Sequence, residues 1–376
     1  MFTSIKIENF RGFKSFELQQ LGRINLLVGE NNSGKTSILE AVQLLCSRTN
    51  LEPLAEIMIN RGEYFWSDHN KTDRQIDIRH LFYGHEIENN SQFSISGIND
   101  NNQENLDVLI HNPRSHNTIS RYEETDIYEE DASFNKLNKL IISVKCKIGQ
   151  QAFVTLRGIS RDSGISKESL RWSRNSNKEE ILSKKLKTQF VKSSSLRTEE
   201  MIELFDNLVL TPEEKIVELA LNKIDSKIQR IAPISSQNLK YSLDSRGGFL
   251  VLLSDGKRVP IGSMGDGIWR ILGLALAIVS VKNGYLFVDE IDTGLHFTAM
   301  SDMWKMIWDT AKKLNVQVFA TTHNSDCWKS LAEIAKQENV TDDGIRIHRI
   351  EKDKSKSIVF NESQMVIAAE RELEVR

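Results

Sequence analysis

Cysteine is scarce in this sequence, and what there is does not cluster. The 376 residues include 3 cysteines, Cys46, Cys146 and Cys327. They are isolated, odd in number and form no C-x-x-C pair, so neither a zinc site nor a disulfide framework is indicated. A reducing compartment is the simple reading, and a cytoplasmic location is expected. Long hydrophobic runs are also missing. The longest apolar segment, from Ile271 to Val281, is too short to span a bilayer and is flanked by Arg270 and Lys282. It reads as a buried helix, and no membrane association is expected. The opening residues carry Lys6 and Glu8 and no apolar run, so no signal peptide is expected. An excess of charge of one sign is absent too: the net charge of −3 excludes binding to nucleic acid through overall basicity. There is no internal repeat. What remains is a globular composition, 39% hydrophobic and 27% charged, in a chain long enough to bury a substantial core in two or three domains.

The strongest positive signal is Gly29-Glu30-Asn31-Asn32-Ser33-Gly34-Lys35-Thr36-Ser37, which matches the phosphate-loop pattern G-x-x-x-x-G-K-[ST] at every required position. Ile24-Asn25-Leu26-Leu27-Val28 before it reads as a buried strand. Residues 37–45 after it read as a helix with Ile38, Ala41, Val42 and Leu45 on one face. A loop between strand and helix turns backbone N–H groups inward around phosphate, and the helix N-terminus adds positive potential. Gly29 and Gly34 permit the backbone angles and the close approach that a side chain would block. Lys35 is placed to reach the β- and γ-phosphates, and Thr36 to offer its hydroxyl to Mg²⁺. ATP and Mg²⁺ are the expected ligands.

Four further pieces lie far downstream. Tyr285-Leu286-Phe287-Val288-Asp289-Glu290 is an apolar strand ending in two acids. Asp289 suits the Mg²⁺ shell, and Glu290 is placed to polarise an attacking water. Ser263-Met264-Gly265-Asp266-Gly267 opens an apolar helix over residues 268–279, a second anion-attracting helix N-terminus. Gly294-Leu295-His296 follows the acids. Residues 316–323 read as a strand ending on His323, which is either a surface histidine or a contact for the γ-phosphate.

This order of motifs resembles the ABC-type ATPase heads of the SMC, RecF and OLD (overcoming lysogenisation defect) proteins. Residues 5–13, Ile-Lys-Ile-Glu-Asn-Phe-Arg-Gly-Phe, look like the opening strand of that group, with Arg11 after the Asn-Phe pair. The Gly29–Ser37 spelling is similar to OLD-like and stand-alone AAA-family ATPases linked to phage defence. The resemblance covers roughly residues 1–100 and 235–376. It implies an α/β fold, a P-loop NTPase with an ABC-type head (mixed sheet and antiparallel β subdomain) and a helical insert. It also implies ATP hydrolysis by a homodimer closed head to tail, with Ser263 and Gly265 binding the γ-phosphate across the interface and Asp266 among the nucleotide contacts. Arg11, Asn31, Asn32, Ser33 and Ser37 join the nucleotide contacts on the same ground. The pattern departs from transporters at Asp266-Gly267, where they carry Gly-Gln, and at His296, where many relatives carry Asp. Gln75 and the residues near His80 are candidates for a Q-loop.

The expected segments are 1–98 and 235–376, the two halves of the ATPase head, with an insert over 99–234. Strands are expected over 76–83, 93–97, 140–146 and 153–157. An acidic surface loop or disordered stretch is expected over 99–136, and a helical block over 178–230. In that block Thr211-Pro212-Glu213-Glu214 reads as a capping box with Thr211 as N-cap. No heptad run is long enough for a coiled-coil arm. The stretch after His323 is short for a Toprim nuclease domain, and Asp342-Asp343 precedes a strand rather than ending one. A nuclease, Toprim-like or other effector is therefore expected as a separate polypeptide. Residues 157–197 hold eleven Lys/Arg against four acids. They can serve a phosphate backbone, an acidic partner or plain solvation, and aromatics for base stacking are few there. A switch that controls an effector in anti-phage defence is the leading expectation. An ATP-dependent DNA-binding protein of RecF or SMC type is the alternative.

Overall fold

The computed structural model describes residues 1–48, 50–66, 74–99, 102–111, 140–148, 150–159, 164–166, 186–234, 248–338 and 344–376. They fall into two compact units that alternate along the chain. The first comprises Met1–Ser4, Glu17–Leu39 and Lys185–Arg376, and the second Ile5–Phe16 and Glu40–Lys184.

The first unit is built on a six-stranded sheet. Its order is β11 (Thr188–Val191), β15 (Tyr285–Val288), β16 (Gln317–Thr321), β3 (Ile24–Val28), β17 (Ile345–Arg349) and β18 (Ile358–Phe360). The first five strands are parallel, and β18 runs antiparallel at one edge. Parallel strands are covered on both faces and so read as unbroken apolar runs. Every residue of β3, β15 and β16 is buried accordingly. The registers pair Val288 with Ala320 and Ala320 with Leu26. The carboxyl ends of β15, β16 and β3 therefore lie side by side, the place where open α/β sheets bind ligands.

The first unit also carries helices. They are α1 (Lys35–Ser47), which enters the second unit at Glu40, then α3 (Thr198–Asp206), α4 (Glu214–Ile224), α5 (Asp266–Ser280), α6 (Phe297–Leu314), α7 (Ser325–Gln337) and α8 (Glu362–Glu370). Residues 268–279 of α5 are all buried, as an all-round apolar helix requires. α6 ends on Asn315 in the left-handed region, and α7 and α8 start from Asn324 and Asn361, whose side chains accept N–H bonds of the first turn. Trp304 and Trp328 lie fully buried between α6 and α7, and the Trp304 indole donates to the Cys327 carbonyl at 2.9 Å. A small antiparallel sheet, β12 (Ile228–Pro233), β13 (Phe249–Leu253) and β14 (Arg258–Pro260), completes this unit.

The second unit holds most of a sheet of order β2 (Phe13–Leu18), β1 (Phe2–Phe10), β6 (Gln92–Asn99), β7 (Asn102–His111), β8 (Leu140–Ile148) and β9 (Gln150–Ile159), in which β6 to β9 pair antiparallel. It also contains α2 (Glu52–Asn60) and a three-stranded sheet of β4 (Tyr64–Trp66), β5 (Arg74–Asp77) and β10 (Gly164–Ser166).

Several local expectations are corrected. The strand expected over 76–83 stops at Asp77, because the Asp77 carboxylate accepts the Arg79 N–H and starts a helical turn at Ile78–Leu81. The acidic stretch over 99–136 contains β7, and residues 112–136 lie outside the described residues. The block over 178–230 is not continuously helical: residues 188–191 join the parallel sheet as its edge, where Phe190 stacks on Phe287 with centroids 6.3 Å apart. Thr211 is not an N-cap. Its hydroxyl turns back to the Leu208 carbonyl at 2.6 Å, α4 starts at Glu214, and the Glu214 carboxylate accepts the Leu210 N–H at 2.8 Å. Asp342 and Asp343 lie outside the described residues.

Candidate functional site

The site grows from the end of β3. Gly29 has φ +144°, and a Cβ there would stand 2.4 Å from the Ile350 carbonyl oxygen, so only glycine fits. Asn32 at φ +61° and Gly34 at φ +94° bend the loop before α1 begins at Lys35. Successive turns of this kind gather N–H groups on one concave side. The Ser33 hydroxyl is buried in the loop with no hydrogen-bond partner, an orphaned polar atom of the kind a bound anion satisfies. The Lys35 ammonium donates to the carbonyls of Gly29 at 2.9 Å and Glu30 at 2.7 Å, folded back over its own loop. Burial lowers its proton affinity, and the nearby Asp289 and Glu290 charges oppose that shift.

The strand ends bring distant residues to this loop. Thr36 Oγ1 donates to Asp289, 3.0 Å from Oδ1 and 3.3 Å from Oδ2. Thr321, last residue of β16, donates from Oγ1 to Asp289 Oδ1 at 2.7 Å and accepts the Glu290 N–H at 2.8 Å. Glu290 itself has φ +46°, a left-handed conformation that costs a non-glycine residue on the order of 1 kcal/mol or more and persists only where neighbours enforce it. Its carboxylate is half exposed, 3.4 Å from Thr293 Oγ1 and 3.9 Å from His323 Nδ1. His323 stands two residues beyond β16. Thr322 beside it donates to Asp292 at 2.7 Å.

The expected residues are partly gathered. Gly29 through Ser37, Asp289, Glu290 and His323 follow the carboxyl ends of the neighbouring strands β3, β15 and β16. Ser263, Gly265 and Asp266 form a separate exposed turn at the head of α5. There the Ser263 hydroxyl donates to the Pro260 carbonyl at 2.6 Å, and Gly265 has φ +93° with open space around it. Arg11 belongs to the second unit. Its guanidinium is buried against Glu63, 2.6 Å and 3.1 Å from the two oxygens, and against Glu40 at 2.8 Å. Gln75 lies in β5 of the same unit. Of the basic stretch 157–197, Arg161, Lys167, Arg171, Arg174, Lys178, Lys184 and Lys185 lie outside the described residues.

Two groups at the site carried no role in the sequence reading. Thr321 is one. Arg270 is the other: from α5 it donates to the carbonyls of Lys192 at 2.6 Å, Asp289 at 3.2 Å and Glu290 at 3.0 Å. Burial lowers its proton affinity to about 10, against the pull of Asp292, Asp289 and Glu290, so it stays cationic at neutral pH. A charged residue inside an otherwise apolar helix was the available signal.

The donor set fits a nucleotide with its magnesium ion. Mg²⁺ favours hard oxygen ligands and takes one or two from protein when phosphates supply others. Thr36 Oγ1 and the Asp289 carboxylate are such a pair, already adjacent. Among the described residues no three His, Cys, Asp or Glu side chains form a metal cage, and no helix is long and apolar enough to cross a membrane.

The model of the AAA ATPase domain family matches residues 1–327. The chain belongs to this family. It is an ATPase. This ATPase is 24% identical over 352 residues to an "ATP/GTP phosphatase" of Helicobacter pylori, covering 90% of each chain. It is 51% identical over 41 residues, 11% of each chain, to the DNA replication and repair protein RecF of Rickettsia massiliae. Among solved structures it is similar to an SMC head domain bound to the C-terminal domain of ScpA from Pyrococcus furiosus, at 10% identity and TM-score 0.48 over 99% of each chain. An SMC head domain of Thermotoga maritima gives 10% identity and TM-score 0.43, over 96% of this chain and 98% of that one.

Proposed function

We propose that this ATPase is a switch whose ATP-bound heads pair, and that hydrolysis or nucleotide release opens the pair. The observation that carries the reading is the bonded series Thr36–Asp289–Thr321–Glu290, which joins a phosphate loop to a solvent-facing carboxylate. In this reading the loop N–H groups from Asn31 to Ser37 and the Lys35 ammonium hold the β- and γ-phosphates. Thr36 and Asp289 hold Mg²⁺, which neutralises phosphate charge. The Glu290 carboxylate takes a proton from water as the water oxygen bonds to the γ-phosphorus and the bond to the β–γ bridging oxygen breaks, releasing ADP. His323 contacts the γ-phosphate beside the water. Ser263, Gly265 and Asp266 approach the γ-phosphate bound to a second copy. The paired state gates a separate effector protein, in prokaryotic anti-phage defence by the resemblance to OLD-like ATPases.

The test is solution mass by light scattering, for wild type and Glu290→Gln, with and without Mg-ATP. A mass that doubles with ATP, most persistently in the variant, supports the switch. A mass indifferent to ATP in both proteins rules out pairing driven by nucleotide.

The local identity to RecF favours a second reading, ATP-dependent binding to DNA. It predicts DNA affinity that appears with ATP and falls steeply between low and moderate salt. Absence of DNA binding at low salt with ATP present would end it.

A further inference from the structure

We propose that Arg270 is the positioning residue for the catalytic base: its guanidinium fixes the backbone at Asp289 and Glu290 and thereby aims the Glu290 carboxylate. The inference rests on the reading of Glu290 as the base.

Arg270 is 3% exposed in a helix otherwise apolar from Ile268 to Val279. A cation is not tolerated there without strong partners. The hydrogen-bond partners of Arg270 are three backbone carbonyl oxygens, on Lys192, Asp289 and Glu290, and its Nε has none. Carbonyl partners have a physical consequence that carboxylate partners lack: they hold the main chain, not a rotatable side chain. At Glu290 both polar backbone groups are held, the N–H by Thr321 Oγ1 at 2.8 Å and the C=O by Arg270 at 3.0 Å together with the Thr293 N–H at 3.0 Å. On either side, the Asp289 N–H donates to the Val191 carbonyl at 2.8 Å and the Ile291 N–H to the Thr321 carbonyl at 3.0 Å. These bonds over-determine the left-handed φ of +46° at Glu290.

The side chain beyond that backbone has little to orient it. It is 44% exposed, with Thr293 Oγ1 at 3.4 Å and His323 Nδ1 at 3.9 Å. The direction of the carboxylate is therefore set at its Cα. The planar guanidinium fork reaches separate acceptors at fixed angles, which the point charge of lysine does not. Its bond to the Lys192 carbonyl, just past β11, fastens the neighbouring loop to the same cation.

The experiment measures steady-state ATP hydrolysis and, separately, nucleotide affinity for Arg270→Lys and Arg270→Met, each alone and combined with Glu290→Gln. Misaiming a reacting group by about 1 Å costs on the order of 100-fold in rate. The expected result is a kcat at least about 10-fold lower in both single variants, lower in Arg270→Met than in Arg270→Lys, with nucleotide affinity within about twofold of wild type. In the Glu290→Gln background neither substitution lowers the residual turnover further. A near-normal kcat in both single variants overturns the proposal. So does a loss of affinity in step with kcat, which a merely structural arginine would cause, or a fully additive loss in the double variants. If Arg270→Met does not fold, Arg270→Lys decides by the same readings. Turnover unchanged in Glu290→Gln alone would remove the base reading and this proposal with it. An inactive Glu290→Gln beside fully active Arg270 variants would remove the positioning alone.

Discussion

Thr36 Oγ1 and Asp289 Oδ1 lie 3.0 Å apart, although 253 positions separate them along the chain. The first belongs to the helix that follows β3 and the second to the end of β15, two strands away across β16. Thr321, on the strand between, holds the same Asp289 oxygen at 2.7 Å. The parallel register explains the meeting, since Val288 pairs with Ala320 and Ala320 with Leu26.

From this geometry, Thr36→Ala and Asp289→Asn raise the Mg²⁺ concentration for half-maximal ATP hydrolysis by at least about 10-fold. Titration of Mg²⁺ at saturating ATP reads the effect, and chelation of the ion abolishes turnover in wild type. An unchanged Mg²⁺ midpoint in both variants would show that these oxygens do not hold the metal.

Gly29 and Gly12 make a matched comparison. At Gly29 a Cβ meets the Ile350 carbonyl at 2.4 Å and φ is +144°, whereas at Gly12 nothing lies within 4 Å. Gly29→Ala must shift the loop, so nucleotide binding is lost or stability falls by about 1–3 kcal/mol. Gly12→Ala stays within about 0.5 kcal/mol of wild type. Equilibrium binding of a fluorescent ATP analogue with parallel urea unfolding separates the two effects. Normal nucleotide binding and stability in Gly29→Ala would mean that the tight approach to Ile350 is not needed.

How much of this was legible beforehand depends on the range of the interaction that decides each feature. The loop from Gly29 to Ser37 is a local signal, because the glycines answer to backbone angles and Lys35 and Thr36 sit at fixed offsets. Asp289 and Glu290 were legible as acids at the end of an apolar strand. Arg270 was not, because its partners are backbone carbonyls of Lys192, Asp289 and Glu290, and every residue has a carbonyl. The ion pairs of Arg11 with Glu40 and Glu63 were not legible either, because only the fold brings those acids beside it. The edge strand Thr188–Val191 was hidden inside an expected helical block, since four residues carry too little periodicity and pairing with Tyr285–Val288 decides their state.

His348 supplies a pH dependence. It is fully buried on β17, with Nε2 3.3 Å from Asn25 Oδ1 and Nδ1 3.2 Å from Ser357 Oγ. Burial, with a smaller push from the Arg346 cation, lowers its pKa from 6.5 to about 3. The folded chain then binds fewer protons than the unfolded chain between those values. The contribution to stability is fully present above 6.5 and is lost as the pH falls toward 3, at about 1.4 kcal/mol per pH unit. By about pH 5 roughly 2 kcal/mol is lost through this one residue. Urea unfolding across that range, compared with His348→Gln, isolates the effect, because the variant cannot take up the proton. Equal acid sensitivity in the two proteins would contradict the assignment.

The Arg11 cluster gives the last expectation. Arg11 and Glu40 are both about 5% exposed, Glu63 bridges Arg11 from one side, and Arg61 Nε reaches Glu40 at 2.6 Å from the other. Burial raises the Glu40 pKa even though the Arg11 and Arg61 charges pull it down, so desolvation outweighs the pairing. Removing one partner strands the other in a buried site. Arg11→Met leaves Glu40 with the half-exposed Arg61 alone and costs about 3–5 kcal/mol, and Glu40→Leu costs a similar amount. The double variant removes both charges together, so its loss is smaller than the sum of the single losses by at least about 1 kcal/mol. Unfolding free energies of the four proteins test this. Strict additivity would mean that Arg11 and Glu40 do not depend on each other, leaving Glu63 as the partner that keeps Arg11 buried.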